Sequence, residues 1–227
     1  MPYKEDILMS LFDKVKAAFN AVGGSTASGL DPEWTKDRVV TLNEEPDTLE
    51  EFKQAVNVSD PGSVAAYWLY SVACLTADYD TGLSMMKYAF ADIEPFGRGF
   101  KEGGLTGGWD TYFNDRLQDD EYRWLPRAYF KGAAASNGFN PEKPLAVEFQ
   151  YLDSDTKTVN DQSLSQLGRL NIVYGVKSNA AGNLVKITVS KFDGSNRWYV
   201  TSGTSCKAVF YDQRAALTAE ARAKLYT

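Results

Sequence analysis

The sequence predicts an α+β fold, with an N-terminal helical half packed on a C-terminal antiparallel sheet of about five strands. Three observations lead there. Capping signals and helix-period apolar residues occupy the chain up to about residue 124. From residue 125 onward, short runs rich in β-branched and aromatic residues take over, bounded by Gly, Asn and Asp clusters. Helices followed by strands, rather than alternating with them, is the order of an α+β domain.

Residues 3–22 read as an amphipathic helix. Ile7, Leu8, Leu11, Phe12, Val15, Phe19 and Val22 fall within about 140° of arc at ~100° per residue. Gly23-Gly24 closes it, as a left-handed C-terminal position favours. Lysines and acids balance on the polar face, so the helix fits docking on a protein partner or self-association better than binding anionic lipid. Residues 25–46 contain several breakers and read as a connecting loop.

Thr48-Leu49-Glu50-Glu51 has the spacing of a capping box and opens a short helix through Val56. Asp60-Pro61 starts the next helix, with Asp as N-cap and Pro in the first turn. It runs through the apolar stretch 64–77, which is too short to cross a bilayer. Asp80 is expected to open a third helix containing Leu83, Met86 and Phe90. The last two helices form an αα-hairpin like one tetratricopeptide unit, but a single copy makes no solenoid. Another helix is expected at 106–117.

Strands are expected at 126–130, 145–152, 169–176, 184–192 and 197–201. Val185, Ile187 and Val189 alternate with Lys186, Thr188 and Ser190, so that strand buries one face. Hairpin loops fall at 178–182 and 193–196. The organisation read from the sequence is an amphipathic helix at 1–24, one α+β domain at 48–212 (helices 48–124, strands 125–211) and a helical tail at 213–227. Val64, Leu69, Val72, Leu75, Phe90, Val147, Phe149, Ile172, Ile187, Val189 and Trp198 are the expected core.

The chain of 227 residues contains no histidine. This removes the commonest general base, the commonest zinc ligand and the usual partner of a nucleophilic Ser or Cys. Cys74 and Cys206 make neither a disulfide framework nor a zinc site and are expected to be unlinked. The opening residues lack a signal-peptide pattern, so a cytoplasmic location is expected. The net charge of −6 is uneven, with 11 Lys+Arg against 22 Asp+Glu over 1–124 and 13 against 8 over 125–227. The basic residues are scattered, which fits attraction between the halves and argues against nucleic acid.

Motifs that resemble cofactor sites fail on inspection. Phe96-Gly97-Arg98-Gly99-Phe100-Lys101-Glu102-Gly103-Gly104 puts Glu102 where a third glycine belongs and follows a helix. Asp78-Tyr79-Asp80 and Asp153-Ser154-Asp155 begin like calcium loops but lack the later ligands. Gly203-Thr204-Ser205-Cys206 misses the nucleophile-elbow pattern. No cofactor, metal site or catalytic residue is assigned.

Chemistry concentrates in 109–131, where Trp109, Asp110, Tyr112, Asp115, Arg116, Asp119, Asp120, Glu121, Tyr122, Arg123, Trp124, Arg127 and Tyr129 crowd together. Rings beside carboxylates suit a glycan or small-molecule ligand, and two converging carboxyls would suffice for a histidine-free glycosidase. The plainer alternative is rings in the core with a solvated charged rim. The following connection, 132–145, is long for a hairpin and contains Asn137-Gly138, able to take a tight turn, and Phe139. Trp109, Asp110, Arg127, Tyr129, Asn137 and Phe139 are therefore the candidate binding residues.

Arg127-Ala128-Tyr129-Phe130-Lys131-Gly132-Ala133, then Asn137-Gly138-Phe139-Asn140-Pro141 and Pro144, resembles the signature of an uncharacterised bacterial family. This is a domain-of-unknown-function group of Gram-positive gut and soil bacteria. The resemblance spans roughly 48–212, including the Arg197-Trp198-Tyr199-Val200 strand. It implies a fold-sized unit and no particular reaction. The leading functional expectation is a non-catalytic cytoplasmic interaction or binding domain. The alternative is a carboxylate-based enzyme acting on a glycan.

Overall fold

The computed structural model describes residues 36–90, 100–101, 104–105, 123–151, 169–179, 184–192 and 194–201. Every described residue belongs to the unit Glu33–Thr227. The elements are β1 (Lys36–Thr41), α1 (Leu49–Ala55), α2 (Pro61–Cys74), α3 (Tyr79–Ala89), β2 (Phe100–Lys101), β3 (Gly104–Leu105), β4 (Ala146–Tyr151), β5 (Arg169–Lys177), β6 (Leu184–Phe192) and β7 (Trp198–Val200). Two 3₁₀ turns, Leu125–Tyr129 and Ala135–Asn137, lie between β3 and β4. The expectations for 3–22, 106–117 and 213–227 lie outside the described residues, as do Trp109, Asp110, Cys206 and the carboxylates of 110–121.

The main sheet has five strands in the order β1-β4-β5-β6-β7, each pair antiparallel. With three helices beside it, the fold is α+β. α2 lies against β1, β5, β6 and β7, so one long helix covers the sheet's inner face. Register decides which side chains meet it. Arg38, Val40, Val147 and Phe149 share that face through the β1–β4 pairing, and Tyr174, Val176, Ile187, Val189 and Val200 continue it. Asp37, Val39, Thr41 and Glu148 alternate outward and are exposed.

α2 is buried almost all round, from Gly62 to Val72, as its continuous apolar sequence requires. Trp68 is fully buried and meets Phe90 with ring centroids 5.7 Å apart. Phe52 of α1 sets its edge against Tyr67 and Tyr88. Of the expected core residues, ten are buried, and Ile172 is half-buried but packs against the cluster.

The helix starts follow capping chemistry. Thr48 Oγ1 accepts from Glu51 N–H at 3.2 Å while Glu51 Oε2 accepts from Thr48 N–H, completing the capping box. Asp60 Oδ1 accepts from Gly62 N–H, and its other oxygen takes Arg38 Nη2 at 2.5 Å. α2 and α3 approach closely at Gly82, where an added Cβ would stand 2.6 Å from the Leu75 nitrogen.

Three expectations are corrected. The segment 25–46, expected to be a loop, contains β1. Its alternation was masked because the inward Arg38 is charged and is satisfied by Asp60 rather than by apolar neighbours. α3 starts two residues earlier than expected, with Asp78 rather than Asp80 as N-cap. Asp78 accepts both the backbone N–H and the hydroxyl of Thr81, and these bonds hold its carboxyl below the ordinary value.

The expected strand at 126–130 is instead the 3₁₀ turn Leu125–Tyr129. Arg127 N–H donates to Trp124 O and Phe130 N–H to Arg127 O. Pro126 in the first turn has no N–H for a ladder and a φ already set for the turn. Leu125, Pro126, Ala128, Tyr129 and Phe130 are all buried, so the run is apolar because it is enclosed on several sides, not because it alternates.

Within the glycine-rich stretch at 96–104, Phe100–Lys101 pairs with Gly104–Leu105 as a short antiparallel ladder. No helix among the described residues is long and apolar enough to cross a membrane.

Candidate functional site

The sequence points to 109–131 and to the connection that follows it; the structure describes these from residue 123 onward and shows how 123–145 is built. Its backbone folds by local hydrogen bonds rather than by a ladder. Asn137 organises the turn. Its Oδ1 accepts from Ala134 N–H at 2.9 Å and from Asn140 N–H at 3.2 Å, and its Nδ2 donates to Gly132 O at 2.9 Å. An Asn side chain is suited to this, since its amide imitates a backbone turn.

Gly138 and Phe139 follow in the left-handed region, at φ 66° and 55°. Gly138 takes this conformation at no steric cost. A bulky residue there is strained by about 1–3 kcal/mol and persists only where its surroundings fix it. What fixes Phe139 is Trp124. The two rings stack with centroids 4.2 Å apart and planes 12° from parallel. Leu125, Ala128 and Ala133 complete a satellite cluster separate from the main core.

Two contacts tie this block to the sheet. Asn179 in the β5–β6 connection donates from its backbone N–H to Ala128 O and from Nδ2 to Phe130 O. Lys131 N–H donates to Ala146 O. An ion pair between Lys131 and Glu148, at 2.9 Å, adds a third contact at the surface.

The candidate residues therefore separate by role. Phe139 and Tyr129 are fully enclosed, so the expectation that Phe139 faces a partner is corrected: its ring is a packing element. Asn137 is used in the turn. Arg127 is the one that keeps reachable chemistry. Trp109 and Asp110 lie outside the described residues, so the carboxylate-rich half of the candidate region carries no geometry.

Arg127 is best judged against the three other arginines whose side chains are described. Arg38 donates to Asp60, Arg123 to Thr76 O at 3.1 Å, and Arg197 to Tyr88 O at 2.6 Å. Arg197 also lies over the rings of Tyr88 and Tyr199, at 4.0 and 4.8 Å. Each of these three closes a structural contact, two of them at or just beyond a helix C-terminus, where a cation is favoured.

The guanidinium of Arg127 makes no hydrogen bond or ion pair among the described residues. It is half-buried. Loss of solvent first, and the nearby Arg123 second, lower its pKa from the ordinary arginine value. Its positive charge thus sits beside another, partly removed from water.

Other reactive groups are quiet. Cys74 is a free thiol. Burial, with Asp47 and Glu45 adding to it, pushes the thiol up to about 11 against the opposing hydrogen bond with Tyr70, so it is a poor nucleophile. Tyr70 is itself raised, chiefly by burial, and donates to Pro46 O. Among the described residues, no group of three or more Cys, Asp or Glu side chains could hold a metal ion.

The family model for a domain of unknown function, DUF6935, matches residues 44–216. The chain belongs to the DUF6935 family. No curated protein and no solved structure matches it. The matched span runs from just before the capping box at Thr48 and includes α1–α3, the 123–145 block and β4–β7. β1 precedes it, although it forms one edge of the sheet.

No signal for the Trp124–Phe139 stack was legible beforehand, because residues 15 apart in an irregular segment share no period. The arginine at position 127 was legible as a candidate only through the density of charged and aromatic residues around it.

Proposed function

We propose that this DUF6935 domain is a non-catalytic binding module of the cytoplasm and that the 123–145 block is its binding face. The observation that carries the reading is Arg127. Of the four arginines whose side chains are described, it alone has a guanidinium with no acceptor among the described residues, and it stands on a rigid platform. The Trp124–Phe139 stack, the Asn137 turn and the Asn179 anchor fix that platform before any ligand arrives, which lowers the ordering cost of binding.

Binding rather than turnover is supported by the structural use of five described carboxylates. Glu51, Asp60 and Asp78 cap helices, Glu45 pairs with Lys143, and Glu148 pairs with Lys131. The free Cys74 thiol supports a reducing compartment. Val39 is the sole large apolar side chain exposed among the described residues, which favours polar recognition over a hydrophobic docking patch.

The test is a thermal-shift screen of the full chain against acidic peptides, nucleotides and oligosaccharides. Hits are then mapped by amide hydrogen exchange. The expected result is slower exchange within 123–145 and a ligand recovered unchanged. A ligand converted to product, or protection confined to β5–β7, would sink this reading.

A further inference from the structure

We infer that Asn137 is a modification site gated by the fold. Its side-chain amide is kept while the turn around it is closed, and is lost by cyclisation onto Gly138 when that turn opens. Asn137-Gly138 is the one Asn-Gly pair in the chain. The reaction needs only water, and it proceeds whether or not 123–145 receives a ligand.

The residue that follows sets the chemistry. The Gly138 nitrogen, having given its proton to solvent base, attacks Cγ of Asn137. A C–N bond forms, the Cγ–Nδ2 bond breaks, and Nδ2 takes a proton and leaves as ammonia. Water then opens the succinimide ring at either carbonyl, giving aspartate or isoaspartate. Glycine permits the attack because it has no Cβ to crowd the nitrogen. Asn179 and Asn196 precede Ala180 and Arg197, whose Cβ atoms hinder the same step. Asn140 precedes Pro141, which has no amide proton to lose.

The folded turn blocks ring closure at both reacting groups. The amide is held at each end, Oδ1 by Ala134 and Asn140 N–H and Nδ2 by Gly132 O. Swinging Cγ onto the Gly138 nitrogen breaks these bonds. The Gly138 N–H donates to Ala135 O at 3.2 Å, and the residue is buried, which keeps its proton from solvent base.

The gate is the satellite cluster. Phe139 is held at φ 55° by its stack on Trp124, so parting the rings frees the turn and relieves its backbone strain. A segment with few apolar partners opens before the sheet does. The two products then behave differently. Aspartate keeps both accepted bonds, and the turn closes over it. Isoaspartate puts an extra methylene into the backbone and shortens the side chain, so the turn stays open.

The experiment incubates the full chain at mildly alkaline pH, in native buffer and in concentrated urea. Peptide mass spectrometry follows conversion at Asn137, with Asn196 as internal reference. Phe139→Ala is incubated in native buffer alongside. In urea, Asn137 should convert about tenfold or more faster than in native buffer, and faster than Asn196. Phe139→Ala in native buffer should fall between the two wild-type rates.

Equal rates at Asn137 in native buffer and urea overturn the inference, as does conversion in urea no faster than at Asn196. A Phe139→Ala rate equal to that of native wild type removes the satellite cluster as the gate and overturns it too. Should Phe139→Ala fail to fold, wild type in urea below its unfolding midpoint is read in its place. Conversion that rises before global unfolding supports the gate; conversion that rises only with global unfolding overturns it.

Discussion

The described residues form two apolar clusters, and they are built on opposite principles. In the main core, α2 lies on the inner face of a five-stranded sheet, and nearly every buried residue is there because of its place in a regular period. In the satellite cluster, Trp124 and Phe139 stack across an irregular segment held by a turn amide and two short 3₁₀ turns. In the main core, backbone hydrogen bonds and helix caps account for the charged groups that touch it. The satellite leaves one arginine, Arg127, without an acceptor among the described residues. Regular periodicity is a way to bury surface; irregular backbone, fixed from within, is a way to present a side chain.

The strongest way to break this contrast is to empty each cluster in turn. Trp68→Ala removes the largest side chain of α2 and should cost about 3–5 kcal/mol by urea unfolding. Phe139→Ala should cost about 3 kcal/mol, the low end for an aromatic truncation, because a cluster of five buried residues can partly collapse. The two should also differ in reach. Trp68→Ala lowers exchange protection throughout the domain, whereas Phe139→Ala opens 123–145 and leaves β5 and β6 protected. Equal loss of protection everywhere in both variants would make the clusters one cooperative unit.

That contrast also explains what the sequence could show. β6 was legible to its ends because Val185, Ile187 and Val189 alternate with polar neighbours. α1 and α2 were legible from Thr48 and Asp60, whose capping oxygens act as their spacing suggests. β1 was not, since an inward arginine breaks the apolar alternation and its partner Asp60 is 22 residues away. The 3₁₀ turn at Leu125–Tyr129 was not, since a run enclosed on several sides has no period to distinguish it from a buried strand. For the site, residue type singled out Arg127, but its lack of an acceptor is a fact about space that no spacing encodes.

The next prediction sharpens the satellite's construction. Asn137→Ala removes two accepted bonds and one donated bond within the turn. At about 1 kcal/mol for each, it should cost about 2–3 kcal/mol. Asn137→Asp restores the two accepted bonds but cannot donate to Gly132 O, so it should recover most of the loss. If Asn137→Asp is as unstable as Asn137→Ala, the donated bond and not the turn amide's oxygen holds the segment.

A pH titration probes the main core by a route that the satellite does not share. Burial raises Cys74 above its ordinary value to about 11, so the folded protein holds this proton after the unfolded chain has released it. The stabilisation is fully present below the unfolded pKa, near 9.0, and is lost as pH rises through about 11. Over that window the loss is on the order of 2 kcal/mol, and Tyr70, also raised by burial, extends it upward. Cys74→Ala should flatten the fall between pH 9 and 11. An unchanged slope would assign the alkaline loss to Tyr70 and other groups.

The smallest expected effect separates the arginines, and it is the finest test of the two building principles. Arg197→Gln removes the bond to Tyr88 O and the stacking against Tyr88 and Tyr199, and should cost about 1.5–3 kcal/mol because the donor is charged. Arg123→Gln removes a charged donor from Thr76 O and should cost about 1.5 kcal/mol. Arg127→Gln removes no bond and relieves its repulsion from Arg123, so in chloride buffer its stability should stay within about 0.5 kcal/mol of wild type or rise. A residue that shapes the fold cannot be deleted without cost; a residue kept for a ligand can. Should Arg127→Gln lose as much stability as Arg123→Gln, Arg127 belongs with the structural arginines, and the satellite cluster presents nothing.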